Sequence, residues 1–131
     1  MSIRKNVVKL HIQENAYFLV YHKNIDIGFG PTVALYIYEN EFLKFDCFGP
    51  NDGHYHILNK QERIYFKETT VTEQIEKAIH ELQNVSPYLL SCANSNIKNF
   101  QLNIFEIKNN LETVKQLLYT YENTYYAHLR I

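Results

Sequence analysis

At 131 residues the chain is long enough for one domain with a sizeable core and too short for two. Apolar residues make up 46% of it, which excludes a disordered polymer. The formal net charge of −1 excludes a bulk pull toward nucleic acid or anionic membrane, so a nucleic-acid role would need a local basic patch.

Residues 6–13 alternate, with Val8, Leu10 and Ile12 on one face, and Glu14-Asn15 turns the chain back. Residues 16–22 form a dense β-forming run, apolar on both faces, which places this strand centrally. Residues 23–31 hold Gly28, Gly30 and Pro31 and read as a loop. With no helix after it, Gly28-Phe29-Gly30-Pro31 is a turn rather than a phosphate-binding loop. Residues 32–38 are a strand, Glu39-Asn40-Glu41 a short turn, and residues 42–48 the next strand. A hairpin follows, then residues 63–67, with Ile64 and Phe66 toward the core and Arg63, Tyr65 and Lys67 on the other face.

The second half is helical. Thr70-Val71-Thr72-Glu73 matches a capping box, and Ile75, Ala78, Ile79 and Leu82 recur at helical spacing, predicting an amphipathic helix over 71–83. Ser86-Pro87 is a second start signal, opening a short helix through Tyr88, Leu89, Cys92 and Ala93 that Asn94-Ser95-Asn96 ends. Phe100, Leu102 and Ile104 alternate, so residues 100–107 read as a strand, with a helix as the alternative. Asn110 can cap a last helix with the stripe Leu111, Val114, Leu117, Leu118, Tyr121 and Tyr125. The expected fold is α+β: an antiparallel β-meander of about five to six strands, with two to three helices packed on one face, in a single domain over 1–131.

Chemistry-bearing residues cluster in one place, residues 44–57. Leu43, Phe45 and Cys47 form an apolar row before the turn, and Tyr55 and Ile57 another after it. A five-residue loop, 49–53, puts both rows on the core face and pairs Phe48 with His54, Cys47 with Tyr55 and Asp46 with His56. Asp46, His54 and His56 then share the opposite face, with Arg63 or Tyr65 arriving from the next strand. Two histidines at i and i+2 with a carboxylate can ligate a divalent transition metal. Without metal, His56 is the candidate general base, Asp46 its orienter, His54 the acid and Arg63 an anion clamp. The competing structural reading has both histidines half-exposed on a solvated sheet face. Cys47 falls in the apolar row as a buried thiol, and His11, His22, His80 and His128 fall at no spacing that suggests a site.

Residues 30–65 resemble an uncharacterised family of small bacterial proteins. Its pattern runs Gly-Pro, a strand, Arg/Lys-Phe-Asp-Cys-Phe-Gly, a short loop, then Gly-His-Tyr-His; here these are Gly30-Pro31, Lys44 to Gly49 and Gly53 to His56. The resemblance implies no activity. A looser likeness is to small bacterial toxins of toxin–antitoxin pairs, in which an Arg-Tyr-Asp strand precedes a His-rich turn. This chain has Phe45 for the tyrosine and two clustered histidines, and it lacks the basic bias of an RNA-cleaving toxin. Gly-His-Tyr-His is also similar to the cupin metal motif, from which the late Glu62 and the helical second half depart.

Two functional classes follow. One is a protein-interaction factor of a bacterial or phage conflict system, of immunity, antitoxin or anti-defence type. Its partner, another protein or a second copy, would meet the tyrosine-rich last helix, where Tyr119, Tyr121 and Tyr125 recur and Tyr126 lies off the stripe. The other is a metal-dependent or Asp–His hydrolase, a phosphodiesterase for example, or a ligand-binding domain, using Asp46, His54, His56 and Arg63. The N-terminus lacks a signal-peptide core, no run spans a bilayer, and Cys47 and Cys92 lie far apart, so a cytoplasmic protein with free thiols is expected.

Overall fold

A computed structural model describes residues 3–25, 28–58 and 60–129. The strands are β1 (Ile3–Gln13), β2 (Ala16–Ile25), β3 (Gly28–Ile37), β4 (Asn40–Asp46), β5 (His54–Ile57) and β6 (Ile64–Tyr65). They lie in one six-stranded sheet in chain order, each antiparallel to the next. The helices are α1 (Val71–Gln83), α2 (Ser86–Leu90), α3 (Ser95–Lys98) and α4 (Ile104–Leu129). The meander and the α+β class are those that alternation and helical spacing predict.

One apolar core joins the two layers. Phe18 and Val20 of β2, Val33 and Leu35 of β3, and Leu43 and Phe45 of β4 are fully buried against Ile75 and Leu82 of α1 and Ile107, Val114 and Leu118 of α4. The Tyr17, Thr32, Asp46 and His54 side chains belong to the opposite face by alternation. That face carries no helix of the core layer.

The Thr70 cap of α1 is as expected. Its hydroxyl accepts from the Glu73 N–H at 3.1 Å and donates to the Glu73 carboxylate at 2.9 Å. Thr70→Ala should lower stability by about 1 kcal/mol, read as a lower denaturation midpoint with an unchanged m-value. An unmoved midpoint would show that solvent replaces the cap.

Two sequence expectations are corrected. Residues 23–31 are not a loop: Lys23–Ile25 extends β2 and Gly28–Pro31 opens β3, while Asp26 and Ile27 lie outside the described residues. Here the glycines make room for neighbours. A Cβ on Gly30, at φ +153°, would meet the Cys47 carbonyl oxygen at 2.5 Å, and one on Gly28 would meet the Phe48 ring at 2.9 Å.

Residues 100–107 do not form a strand. Residues 101–103 run without regular structure, held by Gln13, which donates to the Gln101 carbonyl at 3.1 Å and accepts from the Asn103 N–H at 2.6 Å. The Asn103 side chain then accepts from the Glu106 N–H at 3.1 Å, so α4 starts at Ile104 and Asn110 is interior to it. The alternation ends at Ile104, and the buried stripe Ile107, Leu111, Val114, Leu118 has the helical period.

The tyrosine-rich helix faces inward. Tyr121 and Tyr125 are buried; the Tyr121 hydroxyl donates to the Asn6 carbonyl at 2.7 Å, and the Tyr125 ring lies 5.1 Å from that of Phe29. These two residues belong to the core, as their place in the helical stripe predicts. The Tyr126 and His128 side chains lie outside the described residues.

Candidate functional site

Strand register builds the site. The pairs Tyr21–Thr32, Thr32–Asp46, Asp46–His54 and His54–Tyr65 set one row of side chains across β2 to β6 on the face away from the helices. Asp46, His54 and His56 do share that face. Asp46, however, pairs with His54 and not with His56, which faces Lys44, because the β4–β5 loop spans residues 47–53. The expected five-residue loop was two residues too short. A slip of two preserves the faces, so alternation cannot detect it.

The longer loop has an identifiable cause. The Cys47 N–H bonds back to the Pro31 carbonyl at 2.9 Å, and the buried Gln74 side chain takes the main chain of Gly49. Gln74 accepts from the Gly49 N–H and donates to its carbonyl, both at 2.9 Å, and also donates to the Glu68 carbonyl at 3.0 Å. Phe48 turns its ring onto His54, edge to face at 5.5 Å.

Each residue of the cluster is anchored through one side-chain atom. Thr32 Oγ1 donates to Asp46 Oδ1 at 2.8 Å. His54 Nδ1 lies 2.9 Å from the Asp52 carbonyl, and His56 Nδ1 lies 3.1 Å from the Lys60 carbonyl. A carbonyl only accepts, so both Nδ1 atoms carry the hydrogen; a neutral ring then presents an Nε2 lone pair, whereas a bond from His54 Nε2 to Asp46 requires a ring that carries both hydrogens. Asp46 Oδ2 is buried without a well-directed hydrogen bond, although His54 Nε2 lies 3.1 Å and Lys23 Nζ 3.8 Å away. One ligand atom from each of Asp46, His54 and His56 falls within 4.8 Å of the others, a set that can hold a metal ion.

Neither Asp46 nor His54 is a solvated surface group: they are 0% and 1% exposed. Burial alone pushes the Asp46 carboxyl up, but the bond from His54, the charges of Lys23 and Lys44, and the Thr32 hydroxyl outweigh it and hold it below the ordinary carboxylate value. Burial pushes the Lys23 ammonium down; Asp46 opposes this and Lys44 adds to it. Burial, then Lys44 and His54, push the His56 imidazole down against the pull of Asp46, favouring the neutral form that ligates metals. Burial likewise pushes the Cys47 thiol up, as expected of an inert core cysteine.

The cluster opens into a cavity of about 320 Å³ lined by His54, His56, Lys23, Lys44, Lys60 and Arg63, among others. Arg63 is thus brought to the site as expected. Tyr65, 53% exposed, sets its ring 5.9 Å from His54. Lys23, Thr32 and Lys44 have no local signal. Lys23 lies in the segment read as a loop, and as part of β2 it brings its Nζ to 3.8 Å from Asp46 Oδ2.

Fold and site together define a small α+β protein with a histidine–carboxylate cluster on the helix-free face of an antiparallel sheet. The chain belongs to the family described as Domain of unknown function (DUF7700), whose model matches residues 6–118. No curated protein and no solved structure matches it. Among the described residues, no helix is long and apolar enough to cross a membrane.

Proposed function

We propose that this protein is a metal-dependent hydrolase in which Asp46, His54 and His56 hold one divalent transition-metal ion. The carrying observation is the anchoring of all three side chains. Thr32 and the Asp52 and Lys60 carbonyls each hold one atom of these side chains, while one ligand atom from each of the three falls within 4.8 Å of the others. Such partners orient metal ligands and fix the imidazole tautomer. Two histidines and a carboxylate leave further coordination positions open, the mark of a catalytic rather than a structural site. A bound ion there would polarise a substrate oxygen and activate water for hydrolysis. The cavity beside His54 and His56 supplies room for the substrate.

Metal content tests this reading. Wild-type protein, chelated and then equilibrated with Zn, Mn, Ni or Fe(II), should retain close to one equivalent of one of them after desalting. His54→Ala/His56→Ala should retain almost none while remaining folded. Trace metal in the folded wild type would overturn the assignment.

One observation favours a second reading, the protein-interaction factor of a bacterial or phage conflict system. Leu90 is 67% exposed beside an apolar groove lined by Leu89, Phe100, Leu102 and Ile104, and Phe105 is 70% exposed. Exposed apolar groups of this size suit a protein partner. On that reading Leu90→Asp/Phe105→Asp destroys biological function and the histidine substitutions do not.

A further inference from the structure

We infer that the cavity over the histidine–carboxylate cluster is a binding site for a phosphoryl dianion, carried on a small phosphate monoester. The inference deepens the hydrolase reading by naming its substrate class, but the cationic rim does not depend on the metal. Lys23, Lys44, Lys60 and Arg63 all line this one cavity, and among the described residues Glu41 is its only carboxylate lining residue. Among the described lining residues, four cations against one anion leave an excess of three positive charges, in a chain whose net charge is −1. Asp46, buried below, offsets one more through Lys23. Glu41 is engaged by Lys44 at 3.8 Å. Among the described residues, Lys60 and Arg63 have no carboxylate partner. Both are exposed at the mouth, where their charge is available to a ligand.

The arrangement fits a tetrahedral dianion better than a carboxylate. Donors approach from β2, β4 and the segment between β5 and β6, so several oxygens can be bonded at once, and Arg63 can bond two of them in parallel. It also fits a small ester better than a polynucleotide. The cations converge on one cavity instead of following a track. On the side toward the stacked Tyr17 and Tyr36 rings, Glu41 pairs with Tyr36 on β3, and Glu39 accepts from the Tyr17 hydroxyl at 3.2 Å. A nucleic-acid backbone laid along that path would meet both carboxylates.

The test titrates inorganic phosphate, and separately acetate, into chelator-stripped protein by calorimetry at constant ionic strength. Phosphate should bind and acetate should bind at least about tenfold more weakly. Lys60→Gln/Arg63→Gln, both exposed positions, should keep the fold and weaken phosphate binding by about tenfold or more. Lys44→Gln should act in the same direction. Equal binding of phosphate and acetate, or wild-type phosphate affinity in the folded rim variants, would overturn the inference. So would tight binding of a single-stranded oligonucleotide with none of inorganic phosphate. Phosphate binding by a protein that retains no metal would keep this inference and remove the hydrolase reading; metal retention without phosphate binding would do the reverse.

Discussion

Asp46→Asn should lower the stability of the metal-free protein by about 3 kcal/mol, because it strands a buried ammonium without its counter-charge. Lys23 is 7% exposed and its Nζ lies 3.8 Å from Asp46 Oδ2, so removing the charge leaves little water to take over. The isosteric amide keeps the acceptor for Thr32 and presents nothing comparable to Lys23 or His54. For a domain of this size the loss corresponds to a melting-temperature drop of about 10 °C. Asp46→Asn/Lys23→Met should recover part of it, with a coupling of about 1 kcal/mol or more in the double-mutant cycle.

The dependence on pH has a definite sign. The Asp46 carboxyl is held below its ordinary value in the folded protein, so the unfolded chain takes up its proton first as pH falls. Its stabilisation is therefore present above the ordinary carboxylate value and is lost as pH falls from there through the lower value of the folded protein. The gap between wild type and Asp46→Asn should narrow below about pH 4. A gap under about 1 kcal/mol at pH 7 would mean that Lys23 reaches solvent when its partner is removed.

Gln74→Leu should cost on the order of 3 kcal/mol and loosen the site from beneath. The leucine is apolar and of suitable size for α1, yet it leaves the Gly49 N–H and the Glu68 carbonyl without their Gln74 partner, and leaves the Gly49 carbonyl only the Gly53 N–H. Each buried main-chain group left unsatisfied costs about 1–3 kcal/mol, moderated here by whatever water enters. Gln74→Glu separates the contributions, since a carboxylate can still accept from the Gly49 N–H but cannot donate to either carbonyl. Hydrogen exchange at the Gly49 amide should accelerate in Gln74→Leu and much less in Gln74→Glu. Because Gly49 belongs to the loop that sets His54 opposite Asp46, Gln74→Leu should also weaken metal retention. Unchanged exchange at Gly49 would show that the loop holds its course without the clamp.

The class of fold and the location of the site follow from local chemistry. Alternating apolar residues specify the strands, a threonine–glutamate box specifies the start of α1, and side-chain parity alone puts Asp46, His54 and His56 on one face. These features depend on nearest neighbours in the chain, and no distant contact overrides them. The pairing of Asp46 was decided elsewhere. A two-residue slip leaves every side chain on its own face, so burial is indifferent to it. The choice fell to Gln74, on a helix well beyond the hairpin, which captures Gly49, and to Pro31, which captures Cys47.

Residues 100–107 show the same limit. Three alternating apolar residues fit a strand, but Gln13 of β1 holds 101–103 in place and Asn103 starts a helix. Lys23 and Lys44 gained their places at the site through sheet register. The sequence by itself determined which residues face which way. Only the tertiary structure decided which of them meet, because the partners that choose among equivalent registers are distant in the chain.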